Sequence, residues 1–237
     1  MSQWGFYFDQ TRCLGCKACT VACKEWNEDK RGDRAIHGEM GEERGRLYAT
    51  PGGWEGPAGS GQNYAEFRRY DMKENWRRVT TFEFGTVPPR VDAVSLSLGC
   101  NHCEKPACVP VCPVQAIRKD PEFGAVLVDS AACVSCGACR EACPWGVPQY
   151  YDDPAKYEYS DPKRPRMTKC TMCVDRLREG LKPACVASCP NRALDFGPLE
   201  ELRRKYPQAT PTATGFKAED VARTGPSILF RARAPRA

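Results

Sequence analysis

The stretch that decides the fold is Cys133-Val134-Ser135-Cys136-Gly137-Ala138-Cys139-Arg140-Glu141-Ala142-Cys143-Pro144. Pairs of residues separate its first three cysteines, three residues precede the fourth, and a proline follows it. Small residues at 137 and 138 let the loop curl until three sulfurs face one point, and the proline helps to fix the direction in which the chain leaves. In the bacterial ferredoxin run with this spacing, three thiolates hold one [4Fe–4S] cube and the fourth ligates another.

Related patterns recur along the chain, so that its sixteen cysteines fall into four groups of four. The groups are Cys13, Cys16, Cys19 and Cys23; Cys100, Cys103, Cys108 and Cys112; Cys133, Cys136, Cys139 and Cys143; and Cys170, Cys173, Cys185 and Cys189. The second and fourth groups, like the third, end in Cys-Pro. Four thiolates for each cube predict four [4Fe–4S] clusters with no cysteine left over.

The groups must work in pairs, because each fourth cysteine serves another cluster. The second and third groups are neighbours, and residues 116–128 between them predict a strand, a turn and a second strand. These two groups therefore predict one two-cluster ferredoxin-like unit, which leaves the first and fourth groups to form the other. Sequence separation alone also permits the third group to pair with the fourth.

Zinc sites and disulfides are the two alternatives for so many cysteines. Zinc ribbons also use paired Cys-x2-Cys units, but they rarely add a third cysteine two residues on and a proline after the fourth. Dense disulfides are typical of short secreted chains. This chain has 237 residues, and the run after Met1 leads directly into the first cysteine group without a secretory signal pattern. Both alternatives are disfavoured.

Composition limits the possible partners. The mean hydropathy is −0.57, and the absence of a long apolar run predicts no transmembrane helix. The formal charge of +5 becomes roughly −3 once ligating thiolates and oxidised cubes are included, which disfavours nucleic-acid binding. The basic runs 163–166 and 203–205 are predicted to be solvated faces or contacts to an acidic partner surface.

The predicted fold class is α+β, with two pseudo-symmetric two-cluster ferredoxin-like units, a surface insertion and an extended C-terminal tail. Residues 1–26 and 167–197 are predicted to form the first unit, and residues 95–150 the second unit. Residues 27–94 are predicted to form the insertion with strands, 151–166 a connector, and 198–237 a helix and a partner-wrapping tail. Alternation predicts strands over 77–84 and 93–98. Helices are predicted over 174–179 and 198–206, and 227–230 is a candidate strand in the tail.

No catalytic constellation accompanies the cysteines. His37 and His102 are the two histidines, and the position of His102 inside a cysteine group favours packing or hydrogen bonding near a cube. The sequence contains no Ser–His–Asp set, phosphate loop or dinucleotide fingerprint. It therefore predicts an electron carrier without catalytic residues.

Four stretches, which include many residues other than the ligand cysteines, point to one family. They are Gly5-Phe6-Tyr7-Phe8-Asp9, Cys100-Asn101-His102-Cys103, Cys143-Pro144-Trp145-Gly146-Val147-Pro148-Gln149-Tyr150 and Arg192-Ala193-Leu194-Asp195-Phe196-Gly197-Pro198. Through them, nearly the whole chain resembles the electron-transfer (B) subunits of dimethyl sulfoxide reductase and related molybdopterin oxidoreductases. In that family the first group pairs with the fourth and the second with the third.

The resemblance implies four ligand sets, numbered here one to four. Set one is Cys13, Cys16, Cys19 and Cys189; set two is Cys23, Cys170, Cys173 and Cys185; set three is Cys100, Cys103, Cys108 and Cys143; set four is Cys112, Cys133, Cys136 and Cys139. Nitrate-reductase-type relatives have tryptophan at the place of Cys136 and hold a three-iron cluster there. The cysteine in this chain therefore implies a four-iron cube in set four.

The resemblance also implies partners and a location. It implies a non-catalytic subunit of anaerobic respiration, whose first cube faces a molybdopterin (Mo or W) catalytic subunit and whose fourth faces an integral-membrane quinol-reactive anchor. Such a chain is peripheral to the cell membrane through its partners, on either its cytoplasmic or its exported face. A free-standing soluble polyferredoxin is the alternative, but the insertion and the tail favour a permanent subunit that wraps them over its partner.

Overall fold

Alternating aromatic residues near the N-terminus form the central strand of a three-stranded sheet. The computed structural model describes residues 2–27, 75–85, 92–150, 167–213 and 215–234. Strand β1 (Trp4–Asp9) pairs antiparallel with β8 (Leu194–Pro198) and parallel with β9 (Ile228–Arg231). Phe6 and Phe8 point into the main core, and Tyr7 points into a second core on the other face.

The sheet leaves no room for a side chain at Gly5. A Cβ at this position would collide with the carbonyl oxygen of Ser227, the residue that precedes β9. The amide of Phe6 donates to that same carbonyl at 2.9 Å. The glycine therefore permits the C-terminal segment to approach the first strand closely.

Three two-stranded ladders surround this sheet, and two of them follow the predicted alternation. Strands β2 (Arg78–Phe84) and β3 (Asp92–Leu98) pair antiparallel, with Val79 opposite Ser97. Strands β4 (Ile117–Lys119) and β5 (Val126–Val128) form the predicted strand–turn–strand between the second and third cysteine groups. The third ladder joins β6 (Gln149–Tyr150) to β7 (Met167–Thr168).

The helices of the described residues are short and mostly follow the cysteine loops. They are α1 (Ala18–Trp26), α2 (Ala138–Ala142), α3 (Val174–Arg178), α4 (Ala184–Ala187), α5 (Leu199–Lys205) and α6 (Ala218–Thr224). The helices predicted over 174–179 and 198–206 are confirmed within a residue or two at their ends. This mixture of short helices and strands confirms an α+β fold.

The C-terminal segment lies within the body of the protein itself. The candidate strand at 227–230 forms as β9, and Phe230 packs against Phe8 and Phe216 with ring centroids 6.4 and 5.1 Å apart. Burial of Ile228, Leu229 and Phe230 explains this placement, which differs from the expected tail wrapped over a partner.

Other predicted segments lie outside the described residues. These are most of the insertion, at 28–74 and 86–91, and the whole connector 151–166. The basic run 163–166 falls within that connector. Among the helices that the structure describes, none has the length and apolar character needed to span a membrane.

Candidate iron–sulfur centres

All sixteen cysteines lie in described parts of the chain, and each is a free thiol. Most are buried or half-buried, whereas Cys16 and Cys136 are exposed. The conditions that suit a cluster are thiolate donors, a cavity lined by them and limited access of water.

The four cysteine loops share one backbone feature. In each loop the residue two positions after the first cysteine has a positive φ, and its amide donates to the sulfur of that cysteine. These donors are Gly15 to Cys13 at 3.5 Å, His102 to Cys100 at 3.5 Å, Ser135 to Cys133 at 3.4 Å and Met172 to Cys170 at 3.4 Å. The repeated N–H···S contact turns each loop inward and supplies positive dipole density to a sulfur.

The four thiols of set one line a single cavity. Its volume is about 340 Å³, counted together with its opening to solvent, and Phe8, Val79 and Leu194 complete the walls. Burial is the main cause that raises the pKa of the Cys13 thiol to about 11; the Gly15 amide opposes this rise, and the neighbouring set-one thiols contribute to it. The structure thus brings Cys189, from the fourth group, to the first group.

The thiols of set two are the most deeply enclosed of the four sets, because all four cysteines are buried. Burial raises the pKa of Cys23 well above its usual value, and the thiols of Cys170, Cys185 and Cys173 add to that rise. Burial also raises the pKa of Cys185 to about 12. The last cysteine of the first group therefore lies among three cysteines of the fourth group.

The thiols of set three line a cavity of about 370 Å³, again including its opening. Burial raises the pKa of Cys103 to about 12, and the Cys100 and Cys143 thiols contribute to the same rise. The nearby polar side chains of Thr224 and Trp145 oppose this rise. Helix α6 of the C-terminal segment thus supplies a polar neighbour to this set.

The thiols of set four line a cavity of about 300 Å³ with Ile117, Tyr150 and Met167. The Tyr150 hydroxyl lies 3.1 Å from Sγ of Cys139. Burial raises the pKa of Cys139, and the Cys133, Cys136 and Cys112 thiols act in the same direction. The second and third groups therefore meet in this set.

The sets form a continuous row. Cys19 of set one acts electrostatically on Cys185 of set two, and Cys100 of set three acts on Cys170 of set two. Cys108 of set three packs against a small core that contains Cys139 of set four. The exposed cysteines, Cys16 and Cys136, belong to sets one and four, at the two ends of the row.

The donor chemistry of these sites fits cubes. Within the described residues, no three His, Cys, Asp or Glu side chains converge as the ligands of a single metal ion do. A cube instead spreads four thiolates around a body of several atoms, and sets one, three and four each surround a cavity. Sixteen free thiols in this arrangement are suitable ligands for [4Fe–4S] clusters.

Raised thiol pKa values predict that iron is lost more readily in acid. Ligation requires thiolates, so bound iron competes with protons for each sulfur. Since burial raises the pKa values of Cys13 to about 11 and Cys185 to about 12, protons compete more strongly there than at exposed thiols. We expect iron retention to fall steadily from about pH 8 to about pH 5, measured anaerobically with a chelator in excess.

The control for this experiment is the rate at which the chelator takes up free iron at each pH. Equal retention at the two ends of that pH range, with the chelator effective at both, would contradict the prediction.

Some residues beside the sets carried no recognisable signal in the sequence. The side chains of Arg77 and Ser97 lie between sets one and two.

His102 is fully buried as expected, and its Nδ1 accepts the amide of Val126 at 3.0 Å. Burial, with the nearby charges of Lys169, Arg77 and Lys119, lowers its pKa well below the usual value, so His102 is a neutral packing residue.

Comparisons with known proteins give the same chemistry. A family model described as "4Fe-4S dicluster domain" matches residues 91–199, and one described as "4Fe-4S binding domain" matches residues 4–25. The B chain of anaerobic dimethyl sulfoxide reductase from Escherichia coli (strain K12) is 37% identical over 233 residues, which cover 98% of this chain and 90% of that protein.

More distant relatives come from other oxidoreductases. The B subunit of sulfite dehydrogenase from Allochromatium vinosum is 34% identical over 207 residues, covering 85% of this chain and 71% of that protein. The formate dehydrogenase-O iron-sulfur subunit of Escherichia coli (strain K12) is 32% identical over 195 residues, which cover 82% of this chain and 53% of that protein.

Proposed function

This protein belongs to the family of iron–sulfur subunits that includes the B chain of anaerobic dimethyl sulfoxide reductase, and from that premise we propose that it carries four [4Fe–4S] clusters and relays electrons between a molybdopterin catalytic subunit and a quinone-reactive membrane anchor. It is an electron-transfer subunit of an oxidoreductase complex and not the catalytic subunit. The observation that carries the proposal is the row of four thiol sets with an exposed cysteine at each end.

The proposed ligands are the sets defined above. Three of the four sets each line one cavity, and in set two the other three thiols act electrostatically on Cys23. In the proposed arrangement, the first three cysteines of groups one and three hold one cube each, and the fourth cysteine crosses to a neighbouring cube. Each bound [4Fe–4S] cube supplies a site that accepts and releases one electron.

The residues around the sets bind the clusters and determine their surroundings. Buried apolar side chains such as Phe8 and Trp145 exclude water from the cavities. The repeated amide donors hold the first sulfur of each loop and favour added negative charge at that sulfur. Solvent access and hydrogen bonds to sulfur are the factors through which a protein tunes a cluster's potential.

The row also suggests where electrons enter and leave. Sets two and three have no exposed cysteine, whereas Cys16 and Cys136 reach the surface at sets one and four. We assign set one to the catalytic partner and set four to the anchor, as the family resemblance implies. Interior sets then exchange electrons with their neighbours in the row, and the end sets exchange them with other subunits.

We further propose that the protein contains two pseudo-symmetric ferredoxin-like units with the boundaries given above. The sheet β8-β1-β9 lies beside groups one and four, and the ladder β4-β5 connects groups two and three. These placements support one unit for each pair of groups. The partners hold the protein at the periphery of the cell membrane.

The proposal is tested by anaerobic purification of the tagged native protein with metal analysis of everything that copurifies. We expect iron near sixteen per chain, from about four cubes of four irons, together with molybdenum or tungsten and a large second subunit. The same iron content with no partner and neither heavy metal would favour a free-standing polyferredoxin. Iron of about twelve per chain or lower in the intact complex would contradict the four-cluster ligand sets.

A further inference from the structure

Arg77 is a fully buried cation that lies against set one. Arg77 is 1% exposed and directly precedes β2. Its Nη1 donates to the hydroxyl oxygen of Ser97 at 3.2 Å, and that oxygen lies 3.3 Å from Sγ of Cys19. A single serine hydroxyl therefore connects the guanidinium to a sulfur of set one.

The same guanidinium faces set two. Burial alone would lower the pKa of Arg77, but four neighbouring thiols outweigh burial and raise it. Those thiols are the side chains of Cys185, Cys19, Cys170 and Cys23. Because one of them is in set one and three are in set two, Arg77 lies at the junction of the two sets.

The surroundings of Arg77 hold its charge in place. Cζ lies 4.9 Å from the centroid of the Phe6 ring. A Cβ at Gly99 would lie 3.5 Å from Nη2 and 3.3 Å from the carbonyl oxygen of Trp76, so the absence of a side chain there provides space for the guanidinium. Enclosed by an aromatic ring, a serine and a glycine, the charged head does not reach water.

A buried guanidinium requires a counter-charge. Arginine stays protonated inside proteins, and burial of an unpaired ion is strongly unfavourable. Within the described part of the chain, no carboxylate lies within ion-pair distance of Arg77, and its Nε and Nη2 have no hydrogen-bond partner. Among the described residues, the acidic groups that act on Arg77 are the thiols of sets one and two, which as thiolates can compensate its charge.

We propose that Arg77 is a fixed counter-charge shared by the first and second clusters and that it raises the reduction potentials of both. This inference rests on the ligand sets proposed above. An electron added to either cluster places more negative charge beside the guanidinium, which therefore stabilises the reduced form more than the oxidised form. Arg77 holds its proton in both states, so this stabilisation requires no proton uptake.

The test is an EPR-monitored redox titration of the purified complex. In Arg77→Gln, the midpoint potentials of the first and second clusters are expected to fall. At a fixed applied potential, the ratio of reduced to oxidised cluster should fall at least tenfold for each of the two. This fall corresponds to a shift in midpoint potential of about 59 mV for a one-electron couple. The third and fourth clusters should shift less, and Arg77→Lys should recover most of the loss.

Two controls make the result specific. Single substitutions Cys13→Ser, Cys173→Ser, Cys108→Ser and Cys133→Ser assign each EPR signal to its set. Arg78→Gln removes an adjacent buried arginine, whose Nη2 donates to the carbonyl oxygen of Trp145 at 3.3 Å. We expect Arg78→Gln to leave the midpoint potentials of the first and second clusters near those of the unsubstituted protein.

Unchanged first and second potentials in Arg77→Gln would overturn the inference, as would an equal shift of all four. If Arg77→Gln does not fold, Arg77→Met replaces it, because an apolar side chain of similar length costs less to bury. Fewer than four centres in the unsubstituted complex would refute the ligand sets and this inference together. Four centres in the unsubstituted complex, with first and second midpoint potentials that do not change in Arg77→Gln, would refute this inference alone.

Discussion

Removal of iron is expected to abolish the tertiary structure of this protein. The main core contains Cys19, Cys23, Cys103, Cys143, Cys170 and Cys185 beside its aromatic and aliphatic residues. Without clusters, sets one, three and four leave cavities of about 340, 370 and 300 Å³, each counted with its opening. Where a metal site forms together with the fold, the free energy of binding contributes to the free energy of folding.

The measurement is near-UV circular dichroism during anaerobic chelation. Trp76 and Trp145 are buried at 5% and 2% exposure, so their near-UV signals report on the packed interior. We expect the signal to disappear as iron is extracted and to return when iron and sulfide are restored. The same chelator presaturated with iron is the control, and native near-UV ellipticity in the iron-free protein would contradict the prediction.

Replacement of one buried ligand is expected to remove a whole cluster. Cys185 is 4% exposed and faces Cys170 and Cys173 in set two. A serine hydroxyl is a much poorer ligand than thiolate for an iron–sulfur cube. In Cys185→Ser we expect the loss of about four of about sixteen irons per chain, together with a large fall in thermal stability, because set two lies in the main core.

A matched substitution separates ligation from packing. Met172 is 0% exposed and lies between Cys170 and Cys173 in the same loop. Met172→Leu keeps the side-chain volume and the amide that donates to Cys170, so its cost should be below about 1.5 kcal/mol. Iron analysis should give a full complement for Met172→Leu. A full complement in Cys185→Ser as well would exclude Cys185 as a ligand.

Local sequence signals accounted for the loops and short ladders. Gly137 is expected to curl its loop, and its φ is positive, 79°. The strand–turn–strand across 117–128 follows from alternation over a few residues. These features depend on neighbours in sequence, which is why their spacing predicts them.

Long-range packing decided what the sequence did not reveal. Arg77 was visible as the first residue of an alternating stretch, but nothing nearby in sequence marks it as a buried cation between two thiol sets. The polar contact of Thr224 with Cys103 depends on where α6 packs. Burial of a charged side chain depends on which distant residues surround it, and one sequence does not specify that.

The position of β1 in its sheet has a consequence for biosynthesis. Both neighbours of this strand, β8 and β9, come from the last quarter of the chain. The ribosome therefore releases Trp4–Asp9 long before residues 194–198 and 228–231 exist. At translation rates of about 5–20 residues per second, the first strand and the thiols of Cys13 to Cys23 wait on the order of ten seconds for their partners. The first strand and these thiols must therefore be kept unaggregated and reduced until residues 194–198 and 228–231 have been made.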